Sequence, residues 1–121
     1  MNVETEFRRG REAVDALPDH VRICGHDFRI EKWSPQEATG ARRWGECSFT
    51  AQVIRVSHNM PSGSQAVDTF IHETLHALFW AFGIDDEDKE ERIVGTLGTA
   101  MTMLHRDNPW LATWISAQLA A

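Results

Sequence analysis

His72 and His76 stand four positions apart, with Glu73 directly after the first of them, in the run His72-Glu73-Thr74-Leu75-His76. On an α-helix, residues at i and i+4 share a face about one turn apart, so both imidazoles emerge side by side. Two ring nitrogens placed that way converge on a zinc ion at about 2.0–2.1 Å each. Glu73 is turned about 100° from His72 around the helix, a poor position for a co-ligand but within reach of a water on the metal. Zinc lowers the pKa of such a water toward ~7, and a carboxylate beside it takes the proton as the water attacks a carbonyl. The expected chemistry is therefore metal-assisted hydrolysis, with His72 and His76 as ligands and Glu73 as general base. The plain alternative is a solvated surface pair of histidines. Against it stands an apolar stripe on the same helix, Val67, Ile71, Leu75, Leu78 and Phe82, which sets the histidines beside a buried face.

A catalytic zinc takes three protein ligands and keeps one position open. A third histidine six residues after His76 is absent: Phe82 stands there, and Phe79 occupies the place of the accompanying glycine. A glutamate from the next helix is the alternative, with Glu87, Glu90 and Glu91 as candidates. Glu90 shares a face with Ile93, Leu97, Met101 and Leu104, a core stripe. Glu91 shares one with Gly95, Gly98 and Thr102, small residues that let two helices approach, and it is the favoured third ligand. The competing view makes all three the solvated acids of a first helical turn. Iron, cobalt or nickel would suit the same donors. His58, between a strand and the motif helix, is a candidate hydrogen-bond donor to the transition state. His105 caps a helix C-terminus, and His20 and His26 are turn residues. The chain has no tyrosine to take the oxyanion role.

These groups need a scaffold. Helical spacing over about 3–17 ends at Pro18, and a hairpin follows from alternation at 21–23 and 28–33 around Gly25. After a polar loop at 34–43 come strands at about 45–50 and 52–56. Ser62 and Gln65 match a capping box for a helix over about 64–82 that stops at Gly83. A second helix is expected over about 86–105 and a short last one after Pro109, where Trp110 and Trp114 close the core. Strands first and helices second predict an α+β domain with a small antiparallel sheet packed on the motif helix and a ligand-bearing second helix. The strand at 53–56 could also accept an extended peptide along its edge, across the metal.

The chain has 121 residues, 42% of them hydrophobic, which suits one domain over 1–121 with a core of its own. A net charge of -6 and scattered basic residues argue against nucleic acid as a partner. No apolar run approaches the roughly 20 residues of a membrane span, and the N-terminus lacks a signal-peptide pattern. Cys24 and Cys47 read as reduced thiols, so cytoplasmic residence is expected.

The run 70–78 around the two histidines, then Glu90-Glu91-Arg92-Ile93-Val94, then Arg106-Asp107-Asn108-Pro109, resembles the small phage-encoded zinc metallopeptidases. These are minimal zincins related to ImmA/IrrE-type and SprT-like peptidases. The resemblance covers about 21–108. It implies a zincin-like α+β fold, one zinc on His72 and His76, Glu73 as base, and a third ligand from the second helix, best matched by Glu91. It also implies a protein or peptide substrate and a bacterial host cytoplasm. The alternative function is a metal-containing phage accessory, assembly or regulatory protein that acts by binding alone.

Overall fold

The structure is a computed structural model that describes residues 2–34, 36–37, 44–84 and 89–120; at positions 90, 91, 94, 95 and 98 the description is of backbone only. Among the described residues, four helices and four strands follow in the order α1 (Val3–Asp15), β1 (His20–Ile23), β2 (His26–Trp33), β3 (Gly45–Ser48), β4 (Val53–Ser57), α2 (Gly63–Phe82), α3 (Glu90–Asp107) and α4 (Trp110–Leu119). The fold is α+β, as the order of elements predicts.

The sheet corrects one expectation: it is mixed, not antiparallel. Its strand order is β1-β2-β4-β3, and the central pair β2–β4 runs parallel, from Arg29 opposite Val53 to Trp33 opposite Ser57. Two antiparallel hairpins, β1–β2 and β3–β4, lie side by side and join through their inner strands. A parallel pair needs a long crossover, and the stretch between Trp33 and Val53, which holds β3, supplies it. β4 is therefore an interior strand with both edges paired, and β3 is an outer strand. The outer face of the sheet carries an ion ladder that fixes this register: Arg55 donates to Glu31 at 2.9 Å and to Glu46 at 2.6 Å, its two cross-strand partners. Burial works against the charged Arg55, but these bonds outweigh it and raise its pKa.

The inner face packs Phe28, Ile30, Ile54 and Val56 against α2, which contributes Val67, Phe70, Ala77 and Leu78. α1 closes one flank. Gly10 is needed there, because a Cβ would stand 2.2 Å from the Met60 carbonyl oxygen. Beside α1, Trp114 of α4 is buried, meets Phe70 edge-on at 5.5 Å, and donates from Nε1 to the Ala13 carbonyl at 3.0 Å. Trp114 closes the core as expected, and Trp110 packs against it. Asn108 ties α3 to β1: its side chain accepts from Arg22 N–H at 3.0 Å and donates to the carbonyls of Arg22 at 2.7 Å and Leu104 at 2.9 Å. Among the described residues no helix is long and apolar enough to cross a membrane. Both cysteines are free thiols, Cys47 in β3 and Cys24 in the β1–β2 turn with φ of 49°.

Candidate metal centre

α2 presents the chemistry, and its ends are the ones the sequence signals. The Ser62 hydroxyl accepts from Gln65 N–H at 3.1 Å, which satisfies an otherwise orphaned donor of the first turn. Gln65 does not complete the reciprocal half of a capping box; its amide instead donates to Thr69 Oγ1 at 3.1 Å. Gly83 ends the helix in the left-handed region at φ 62°, and Ile84 N–H returns to the Phe79 carbonyl at 2.9 Å.

Between these ends the buried arc lies somewhat round the helix from the expected stripe. Ala66, Phe70, Thr74 and Ala77 are buried along with Val67 and Leu78, whereas Ile71, Leu75 and Phe82 are half-buried. The sheet, α1 and α4 all press on α2, so the covered arc is wide and centres on Phe70 and Thr74. Glu73 falls inside this arc and is only 7% exposed, while His72 and His76 stand at its margin, exposed.

The Nε2 atoms of His72 and His76 are 3.2 Å apart, with the rings edge to face. That distance can be tested against a metal. Two ligands at about 2.0–2.1 Å on a tetrahedral ion are separated by roughly 3.3–3.4 Å, so 3.2 Å corresponds to a ligand–metal–ligand angle of about 100–106°. The donor pair fits a tetrahedral ion. The same separation suits an N–H···N hydrogen bond between the two rings when no metal is bound. Metal binding would replace that bond with two coordinate ones and leave the side chains where they are.

The two histidines and Glu73 line a cleft of about 530 Å³ with Asp68, Gln65 and Thr69 of α2 on one side and β3 on the other. β3 approaches α2 closely, and Gly45 allows it. A Cβ at that position would lie 2.9 Å from Thr69 Cγ2, 3.0 Å from the Arg55 carbonyl oxygen and 3.2 Å from Glu73 Cγ. Glu73 is thus wedged against the outer strand and lines the cleft. Cys47 lines the same wall. Burial first, then the charges of Glu73 and Glu46, push its thiol up to about 11, so it is protonated at neutral pH and is no nucleophile.

The other candidates separate. His58 lies outside the cleft: its N–H bonds the Trp33 carbonyl at the end of β2, on the side of β4 away from β3, and its Nε2 meets Asp15 at the end of α1, 2.8 Å away. His105 lies in the last turn of α3, but its Nδ1 meets the Met101 carbonyl four residues back at 2.9 Å and not one of the free carbonyls at the helix end. His20 and His26 are strand residues; the turn is made by Cys24 and Gly25, and His26 bonds Gln52 at 3.0 Å. Glu87 lies outside the described residues. Glu90 and Glu91 are on the first turn of α3 by backbone, and their side chains lie outside the description. Among the described residues no third His, Cys, Asp or Glu joins the histidine pair in a metal-holding group.

Sequence reasoning missed the β3 wall and Asp68. A glycine inside a strand pattern signals a close backbone approach, which is the signal Gly45 carried. Asp68 precedes His72 by one helical turn on the same face. Compared with known proteins, the chain matches no family model, no curated protein and no solved structure.

Proposed function

We propose that the chain is a zinc-dependent hydrolase of peptide bonds, with His72 and His76 holding the metal and Glu73 serving as general base. One observation carries the reading: two imidazole nitrogens 3.2 Å apart, at the spacing of tetrahedral ligands, open onto a cleft whose wall holds a buried glutamate. A structural metal site has no need of that glutamate. Zinc, when bound, supplies Lewis-acid polarisation of a carbonyl and acidifies water toward neutrality.

The rest falls to the chain. The Glu73 carboxylate accepts a proton from the attacking water and returns it to the leaving amine; its burial against Gly45 limits the positions it can take, so little reorganisation is needed. Glu91, from the first turn of α3, is the proposed third ligand. An extended substrate would pair with the outer strand β3, since both edges of β4 are already used. In this reading the likeness to small phage-encoded zinc metallopeptidases is one of kind as well as of motif.

The test is Glu73→Gln, which keeps the shape and removes the base. Zinc-loaded wild type should cleave members of a mixed peptide library, and the variant should bind zinc equally while losing about 10²-fold or more in rate. Unchanged cleavage by the variant would refute the reading. A zinc-loaded wild type that cleaves nothing, yet co-purifies stably with an intact partner, would favour the binding-protein alternative.

A further inference from the structure

A second cavity of about 490 Å³ opens on the other side of the two histidines, lined with Phe49, Leu75, Phe79, Trp80 and Ile84. It shares His72, His76 and Phe49 with the first cleft, so the two are continuous across the histidine pair. Their characters differ. The first cleft carries Glu46, Asp68, Gln65 and Thr69, whereas among the described residues the second is lined by no acidic or basic residue besides the histidines.

Its walls are held firmly. Trp80 stacks on Phe49 at 5.5 Å with the rings within 3° of parallel, and meets His26 edge-on at 5.2 Å. Ile84 is buried, fixed by the bond from its N–H that closes the α2 C-terminus. Leu75 is on α2, one residue before His76, and remains half-buried although helical spacing assigns it to the core. An apolar surface of this kind left open beside charged and polar neighbours is a recognition surface more often than a packing accident.

The geometry points to this second cavity as the specificity pocket of the proposed hydrolase, taking a bulky apolar side chain, leucine, phenylalanine or similar, from the substrate residue next to the scissile bond. The inference rests on the metal site. A carbonyl positioned over the two Nε2 atoms has the polar cleft on one side and the apolar cavity on the other, so the side chain on one flank of the bond enters Leu75, Phe79 and Trp80. Chemistry and specificity would then come from neighbouring positions on one helix face: His72 and His76 on the metal, Leu75 and Phe79 in the pocket.

The experiment measures binding, so it does not depend on finding a substrate. Zinc-loaded protein is titrated by calorimetry with acetohydroxamate, which offers only the metal-binding group, and with 3-phenylpropanohydroxamate, which adds an apolar arm. The arm should tighten binding by about 10-fold or more, and Leu75→Trp, which fills the pocket, should remove that advantage while leaving acetohydroxamate affinity unchanged. Equal affinity of the two probes for the wild type would overturn the pocket and leave the metal site standing. Failure of both probes to bind would overturn the metal reading and the pocket with it. Should Leu75→Trp not fold, Phe79→Ser serves instead, and the wild-type comparison decides on its own.

Discussion

Replacing Gly45 by alanine should weaken the domain and disturb the site together, because that glycine is where the outer strand touches the motif helix. The added Cβ would sit 2.9 Å from Thr69 Cγ2, 3.0 Å from the Arg55 carbonyl oxygen and 3.2 Å from Glu73 Cγ. Carbon contacts are comfortable near ~3.5–4.0 Å, so β3 and α2 must part by roughly half an ångström. Overpacking of this sort costs about 1–3 kcal/mol, and the loss of glycine's flexibility in the unfolded chain returns about 0.4–1 kcal/mol. The net expectation is a loss of about 1–2 kcal/mol. Urea denaturation should show it as a lower midpoint at unchanged slope. Thr69→Ser removes the methyl that is struck first while keeping the hydroxyl that Gln65 bonds. In that background Gly45→Ala should cost at least about 0.5 kcal/mol less, a coupling that a double-mutant cycle resolves. Wild-type stability for Gly45→Ala, or strict additivity of the two changes, would refute the steric argument.

Asn108→Asp should cost about 3 kcal/mol at neutral pH, and more than Asn108→Ala. It removes two donated bonds and sets a carboxylate against the Arg22 and Leu104 carbonyls; equal or better stability than the alanine variant would contradict this. Cys47, with its thiol held up to about 11, should react with iodoacetamide about 100-fold more slowly than an ordinary thiol at pH 8, and its rate should climb until near pH 11, as peptide mapping by mass spectrometry can follow. The sign for stability follows from the same shift. A folded pKa above the unfolded value favours the fold at neutral pH and is lost as pH rises through the range from 9 to about 11, so Cys47→Ala should flatten the alkaline limb of the stability curve.

Much of the helical part was legible before any coordinates. Ser62, Gly83 and the apolar spacing between them are local signals, and α2 begins and ends where they say. The strands were legible as strands, but their directions were not. The parallel pairing of β2 with β4 joins residues 24 apart, and nothing in the alternation of either strand encodes which neighbour it takes. The error carried into function, because the strand at 53–56 was read as able to offer an edge that it has already used. His58 misled for the same reason: its neighbour Asp15 is 43 positions away, and proximity in sequence to α2 said nothing about it. The outer strand's role could have been suspected from Gly45 alone, a glycine set in a strand. Asn108, read first as part of a motif resemblance, serves as the buried fastening between α3 and β1, a role visible only once Arg22 is beside it.

The central claim is that His72 and His76 hold one zinc ion. It is tested most directly by metal content from plasma mass spectrometry on untagged protein, wild type beside His72→Ala, His76→Ala and Glu91→Ala. The account predicts about one zinc per chain in the wild type and loss of it in all three variants, since each removes a ligand from a three-ligand site. Retention in Glu91→Ala alone would move the third ligand elsewhere. No zinc in the wild type after zinc is resupplied, or full retention in His72→Ala, would contradict the account.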